Sequence, residues 1–135
     1  MKALLPLVLV ALFCGFLSNM ARAQDLDSVA PVVIKTVPEA GSSDVAPGVM
    51  EIRVTFSKPM VDGSWSWVTA WKGSVPEAIG NPRYEADHKT CVLKVKLEPS
   101  KTYCYWLNNQ DYQGFKDPAG LVAVPYILAF HTKEK

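Results

Sequence analysis

The side chains with the greatest capacity for recognition in this chain are its four tryptophans. Trp65, Trp67 and Trp71 fall at even spacings in one short apolar stretch, and Trp106 lies in another. An indole couples a broad apolar face to a single N–H donor, so several on one surface can stack on sugars or on apolar peptide side chains. In an extended strand equal parity means one face. Trp65, Trp67 and Trp71 therefore form a candidate binding surface, joined by Trp106 if the two stretches run side by side. Packing is the competing reading, because tryptophan is usually largely buried.

The other reactive types are sparse. No G-x-S-x-G, H-E-x-x-H, Gly-rich phosphate loop or C-x-x-C occurs, so no catalytic residue and no cofactor is expected. Asp111 and Asp117 bracket a loop, but the intervening Tyr-Gln-Gly-Phe-Lys lacks the dense oxygen spacing of a Ca²⁺ loop, and both read as solvated turn carboxylates. Glu85 and Asp87 flank a hairpin turn that also holds His88. The only other histidine, His131, is near the C-terminus, and Met50 and Met60 sit in or beside a strand, where packing is the natural role.

The N-terminus sets the compartment. A basic Met1-Lys2, an apolar run from Ala3 to Leu17 and the small-x-small site Ala21-Arg22-Ala23 read as a secretory signal over residues 1–23. The run is short for a membrane span, and no span is expected after cleavage. An extracytoplasmic location follows: periplasm, cell surface or medium. The whole chain has 14 Lys+Arg against 13 Asp+Glu, a net charge of +1. These charges are scattered, which excludes the basic footprint of a nucleic-acid-binding protein.

The elements that must position these residues read as strands. Prolines and glycines punctuate short alternating or β-branched runs: Val32–Val37, Met50–Phe56, Ser64–Trp71, Arg83–Ala86, Thr90–Leu97, Thr102–Asn108 and Val124–Thr132. Met50, Ile52, Val54 and Phe56 alternate with polar partners, and so do Cys91, Leu93, Val95 and Leu97; Tyr103, Tyr105 and Leu107 share a face. About seven strands joined by connections longer than hairpin turns predict an all-β Greek-key sandwich. It spans residues 31–133, after a polar, mobile leader at 24–30. If Tyr103, Tyr105 and Leu107 face the core, Trp106 faces outward.

Strand parity also bears on Cys91 and Cys104. An exported chain favours a bridge between cysteines that can meet. A hairpin about Glu98–Lys101 would set Cys91 opposite Asn108 and Cys104 opposite Val95, on unlike parities, which argues against a disulfide. A strand that crosses between sheets would remove that argument, so the bridge stays open.

Five segments in order resemble a known family. Pro38-Glu39-Ala40-Gly41 with Asp44-Val45, then Ile52 to Met60 ending Phe56-Ser57-Lys58-Pro59-Met60, resembles the opening of the bacterial Ig-like domain of S-layer and other surface proteins (SbsA-like). Leu97-Glu98-Pro99-Ser100-Lys101-Thr102-Tyr103 is similar to its "L-x-P-x-x-x-Y" strand entry, Asp117-Pro118-Ala119-Gly120 to its "D-x-x-G" turn, and Phe130-His131-Thr132 to its closing strand. The resemblance implies an Ig-like sandwich in which the third and sixth strands are neighbours and Trp67 is a core tryptophan. It implies a non-enzymatic module acting on a protein or cell-envelope component, with a glycan as the alternative partner through the tryptophans. The opening is also similar to periplasmic copper-carrier sandwiches, but their N-terminal His is replaced by Gln24, and no Met-rich loop is present.

Overall fold

A computed structural model describes residues 25–135; the secretory signal expected over residues 1–23 lies outside the described residues. Eight strands follow in order: β1 (Val33–Val37), β2 (Gly48–Phe56), β3 (Trp67–Thr69), β4 (Glu77–Ala78), β5 (Arg83–Tyr84), β6 (Thr90–Leu97), β7 (Thr102–Leu107) and β8 (Tyr126–His131). One sheet runs β1-β2-β6-β4, with β5 also paired to β6, and the other runs β3-β7-β8. All strand pairs are antiparallel. This is the two-sheet Ig-like sandwich expected, with one short strand, β4, beyond those predicted. No described helix is long and apolar enough to cross a membrane.

Register explains the core. Val54 lies opposite Cys91, Ile52 opposite Leu93 and Met50 opposite Val95, so the alternating apolar sets of β2 and β6 fall on one inner face. Tyr103 pairs with Phe130 and Tyr105 with Leu128 to form the facing one. Met60 joins this core. The outer face of the larger sheet is charged: Glu51 holds Arg53 at 2.8 Å and Arg83 at 3.2 Å, and Arg53 also pairs with Glu85.

The segment after β6 crosses to the other sheet instead of turning back as a hairpin. The Tyr103 hydroxyl accepts the Glu98 N–H at 2.8 Å, and Thr132 Oγ1 donates to the Glu98 carbonyl at 2.6 Å. These bonds fix a tyrosine corner, the structural use of the "L-x-P-x-x-x-Y" segment. Cys91 and Cys104 therefore sit in different sheets, and both are free thiols. A disulfide between them does not form, because Cys91 points into the core and Cys104 points out of the opposite face of β7.

Asp117 is not the solvated turn carboxylate predicted. It is 2% exposed and bound to Lys58 Nζ at 2.7 Å. The same ammonium donates to the carbonyls of Asp27 (3.2 Å) and Val29 (3.0 Å), so its three protons are all used. Lys58 thus ties the N-terminal segment, a 3-10 turn at Leu26–Ser28, to the loop after Phe115. That loop closes at Gly120, whose φ of 87° is the left-handed conformation its type permits.

Candidate functional site: the free edge of β3 and its two faces

The stretch predicted as a strand from Ser64 to Trp71 pairs only over Trp67–Thr69, and tertiary contacts explain both ends. At its start, Ser64 Oγ donates to the Gly114 carbonyl (2.6 Å), and Ser66 Oγ accepts the Gly114 N–H (2.8 Å). A Cβ on Gly114 would stand 2.3 Å from the Trp65 carbonyl oxygen, so only glycine allows this approach. At its end Ser74 takes the place the strand would have taken. Its carbonyl accepts the Cys104 N–H, and its hydroxyl donates to the Cys104 carbonyl at 2.8 Å. That hydroxyl also accepts the N–H of Ala70 at 2.9 Å.

β3 is the terminal strand of its sheet. Asn108 N–H donates to the Ser66 carbonyl, and Val68 lies opposite Trp106, so Ser66 and Val68 direct their backbone groups at β7. Backbone direction alternates in an antiparallel pair. Trp67 and Thr69 therefore turn N–H and C=O away from β7, toward a side where no described strand pairs with them.

The tryptophans are divided by this register. Trp67 lies opposite Leu107 and turns inward, edge-on to Tyr105 (ring centroids 5.3 Å) and Phe115 (5.8 Å). Trp106 lies opposite Val68 and Ile127 and turns outward. Trp65 is half-buried against the core, and Trp71, past the end of β3, is 52% exposed. The expected surface of Trp65, Trp67, Trp71 and Trp106 on one face is not formed, because paired residues share a face and the partner of Trp67 is Leu107, not Trp106.

Two surfaces flank the free edge instead. On the inner side a cleft of about 680 Å³ opens between β3 and the β4–β5 segment, lined among others by Trp65, Trp67, Tyr105, Tyr112 and Pro76. None of its lining residues is charged. On the outer side Val68, Trp106 and Ile127 form one cross-strand row, with Ile127 47% exposed and Ala129 opposite Cys104 in the next.

The two thiols and the Tyr105 side chain here are buried. Burial pushes the Cys91 thiol up to about 12, against the opposing pull of the Trp67 indole N–H and of Val92 N–H. Trp67 Nε1 itself is buried with no partner at hydrogen-bonding geometry. Burial also raises Tyr105, helped by the neighbouring Tyr103, and it raises the Cys104 thiol. Among the described residues no three His, Cys, Asp or Glu side chains gather as a metal site. His131 Nδ1 is bonded to Thr102 Oγ1 at 2.8 Å, and His88 occupies its turn at φ 58°.

A residue that sequence reading passed over holds the loop bearing Tyr112 and Phe115. Asn108 is fully buried with φ 63°. Its amide donates to the carbonyls of Phe115 (2.8 Å) and Ala123 (3.1 Å) and accepts the Phe115 N–H (2.9 Å). The signal in the sequence was an Asn at a strand end, the non-glycine type that best tolerates the left-handed region.

Over residues 27–132 the sequence matches the family described as the bacterial Ig-like domain. No curated protein matches. Among solved structures the S-layer protein rSbsC(31-844) is similar, with a TM-score of 0.50 and 16% identity. The match covers 81% of this chain and 14% of that one, and at this identity it shows the fold.

Proposed function

The chain belongs to the bacterial Ig-like domain family, and we propose that it is an exported, non-enzymatic module acting by contact with a protein or another component of the cell envelope. The observation that carries this reading is the apolar outer row Val68–Trp106–Ile127 beside an unpaired strand edge. Three apolar side chains aligned across a sheet form a contiguous patch, which marks a contact surface more than isolated exposed residues do. The charged outer face of the other sheet is the contrast within the same molecule. Ile127, Thr69 and Ile34 of β1 sample three separate surfaces. A photo-crosslinking residue at each, in the full chain expressed in its own cells, tests the reading. A defined adduct that soluble domain competes away supports it; no adduct at any of the three overturns it.

A glycan is the second reading, favoured by the uncharged aromatic cleft. Acrylamide quenching of tryptophan with and without a polysaccharide panel tests it. Protection by one polysaccharide would move it to first place, and unchanged quenching with all of them would remove it.

A further inference from the structure

We infer that the free edge of β3 receives an extended, uncharged segment of a partner protein as an added strand, whose alternate side chains enter the cleft and continue the outer apolar row. The inference rests on the protein-contact reading and names the partner's chemistry.

Three observations converge on it. First, the N–H and C=O of Trp67 and Thr69 are the backbone groups an added strand would engage, and an extended backbone is the ligand that matches their spacing. Second, β3 is short, three residues, but Trp67, Val68 and Thr69 include no lysine, proline or bulge, whereas the edge strand β1 carries Lys35, has a bulge between Val33 and Lys35, and is followed by Pro38. The outer edge of β8 is already covered, since Gly41 donates to Ala129 and Val45 to His131. Third, both faces beside β3 are uncharged: the cleft between the sheets on one side, and Val68 with Trp106 on the other. Side chains of an added strand alternate between those faces. Charge is therefore disfavoured at successive positions, and an apolar residue is favoured wherever the strand faces the cleft. This pattern differs from the single apolar face that would suit a surface groove alone.

The test uses the mature chain and a displayed library of random peptides, with Thr69→Pro and Ala78→Trp as counter-variants. Proline at position 69 removes an N–H that makes no bond among the described residues and is tolerated at such an edge. Tryptophan at position 78 fills the cleft from β4. Near-ultraviolet circular dichroism of each variant verifies an intact fold. The expected result is enrichment of uncharged segments with alternating apolar residues. Their binding should slow amide exchange at Trp67 and Thr69 and weaken roughly tenfold in either variant, as loss of a backbone hydrogen bond or of the cleft requires.

No enrichment, or equal binding to Thr69→Pro, overturns the inference. So does a concentration-dependent dimer abolished by Thr69→Pro, which would place a second copy on the edge, or protection of Trp67 by an oligosaccharide alone. The crosslinking experiment separates the two levels. Competed protein adducts at Ile127 or Ile34 without peptide binding at β3 leave protein contact standing and remove the strand; no adducts anywhere remove both.

Discussion

Replacing Lys58 by methionine removes the cation paired with Asp117. The two side chains are 8% and 2% exposed and 2.7 Å apart, so solvent does little to screen them. After the substitution Asp117 keeps the Leu121 N–H at 2.8 Å but loses its counter-charge. Breaking a buried pair by removing one partner costs about 3–5 kcal/mol, and in a domain of this size that lowers Tm by roughly 10–25 °C. The double variant Lys58→Met/Asp117→Asn removes the stranded charge while keeping an acceptor for Leu121, and most of the stability should return. The Lys58 hydrogen bond holds the Asp117 carboxyl below its ordinary value, despite the opposing desolvation. Its stabilisation is therefore present above the unfolded carboxyl value of about 4 and is lost as pH falls from there through the folded value. Urea unfolding of wild type, Asp117→Asn and both lysine variants between neutral and acid pH reads all of this. The acid loss should shrink in Asp117→Asn without vanishing. Asp87 contributes too: although desolvation opposes it, bonds from Lys89 and Thr90 hold its carboxyl low. A cost below about 1 kcal/mol for Lys58→Met, or an unchanged acid limb in Asp117→Asn, would refute the argument.

Asn108→Ala leaves the Phe115 N–H and the Ala123 carbonyl without partners and the Phe115 carbonyl with only the Ala123 N–H, and should cost about 3 kcal/mol in the same assay. Proteolysis should accelerate between Asn109 and Leu121 in that variant. Cys91 should resist a thiol reagent at pH 8 until the domain unfolds, since burial holds its thiol near 12; Cys104, also raised by burial, should react slowly. Gly114→Ala meets the Trp65 backbone at 2.3 Å and should destabilise the fold and perturb Trp65 fluorescence, whereas Gln113→Ala, exposed next to it, should do neither. Trp71→Phe should remove the most acrylamide-quenchable emission and Trp67→Phe the least.

The sandwich was legible where alternation and burial coincide. Met50 to Phe56 and Cys91 to Leu97 each declare a face, and the register Val54–Cys91 and Ile52–Leu93 joins those faces without exception. Tyr103, Tyr105 and Leu107, of one parity in β7, are all buried in the core. The ends of β3 were not legible, because Ser74 and Gly114 set them from elsewhere in the chain, and a serine hydroxyl replacing a strand leaves no periodic trace. Lys58 was similarly opaque. In the sequence it only precedes a strand-ending proline, and the tertiary approach of Asp117 and the Asp27 and Val29 carbonyls is what makes its burial tolerable.

The candidate site was half legible for a reason specific to strands. Tryptophan parity along the chain is a local property, and it correctly separates Trp67 from Val68. Whether Trp106 joins Trp67 depends on inter-strand register, and one residue of slip moves a whole strand's side chains to the other face. With Leu107 opposite Trp67, the tryptophans part: Trp67 and Trp65 line the cleft, and Trp106 joins the outer row. The same register turns the Trp67 and Thr69 backbone outward. A surface read as an aromatic platform is thereby an open strand edge with an apolar face on each side, and the chemistry it offers is that of a backbone as much as of indoles.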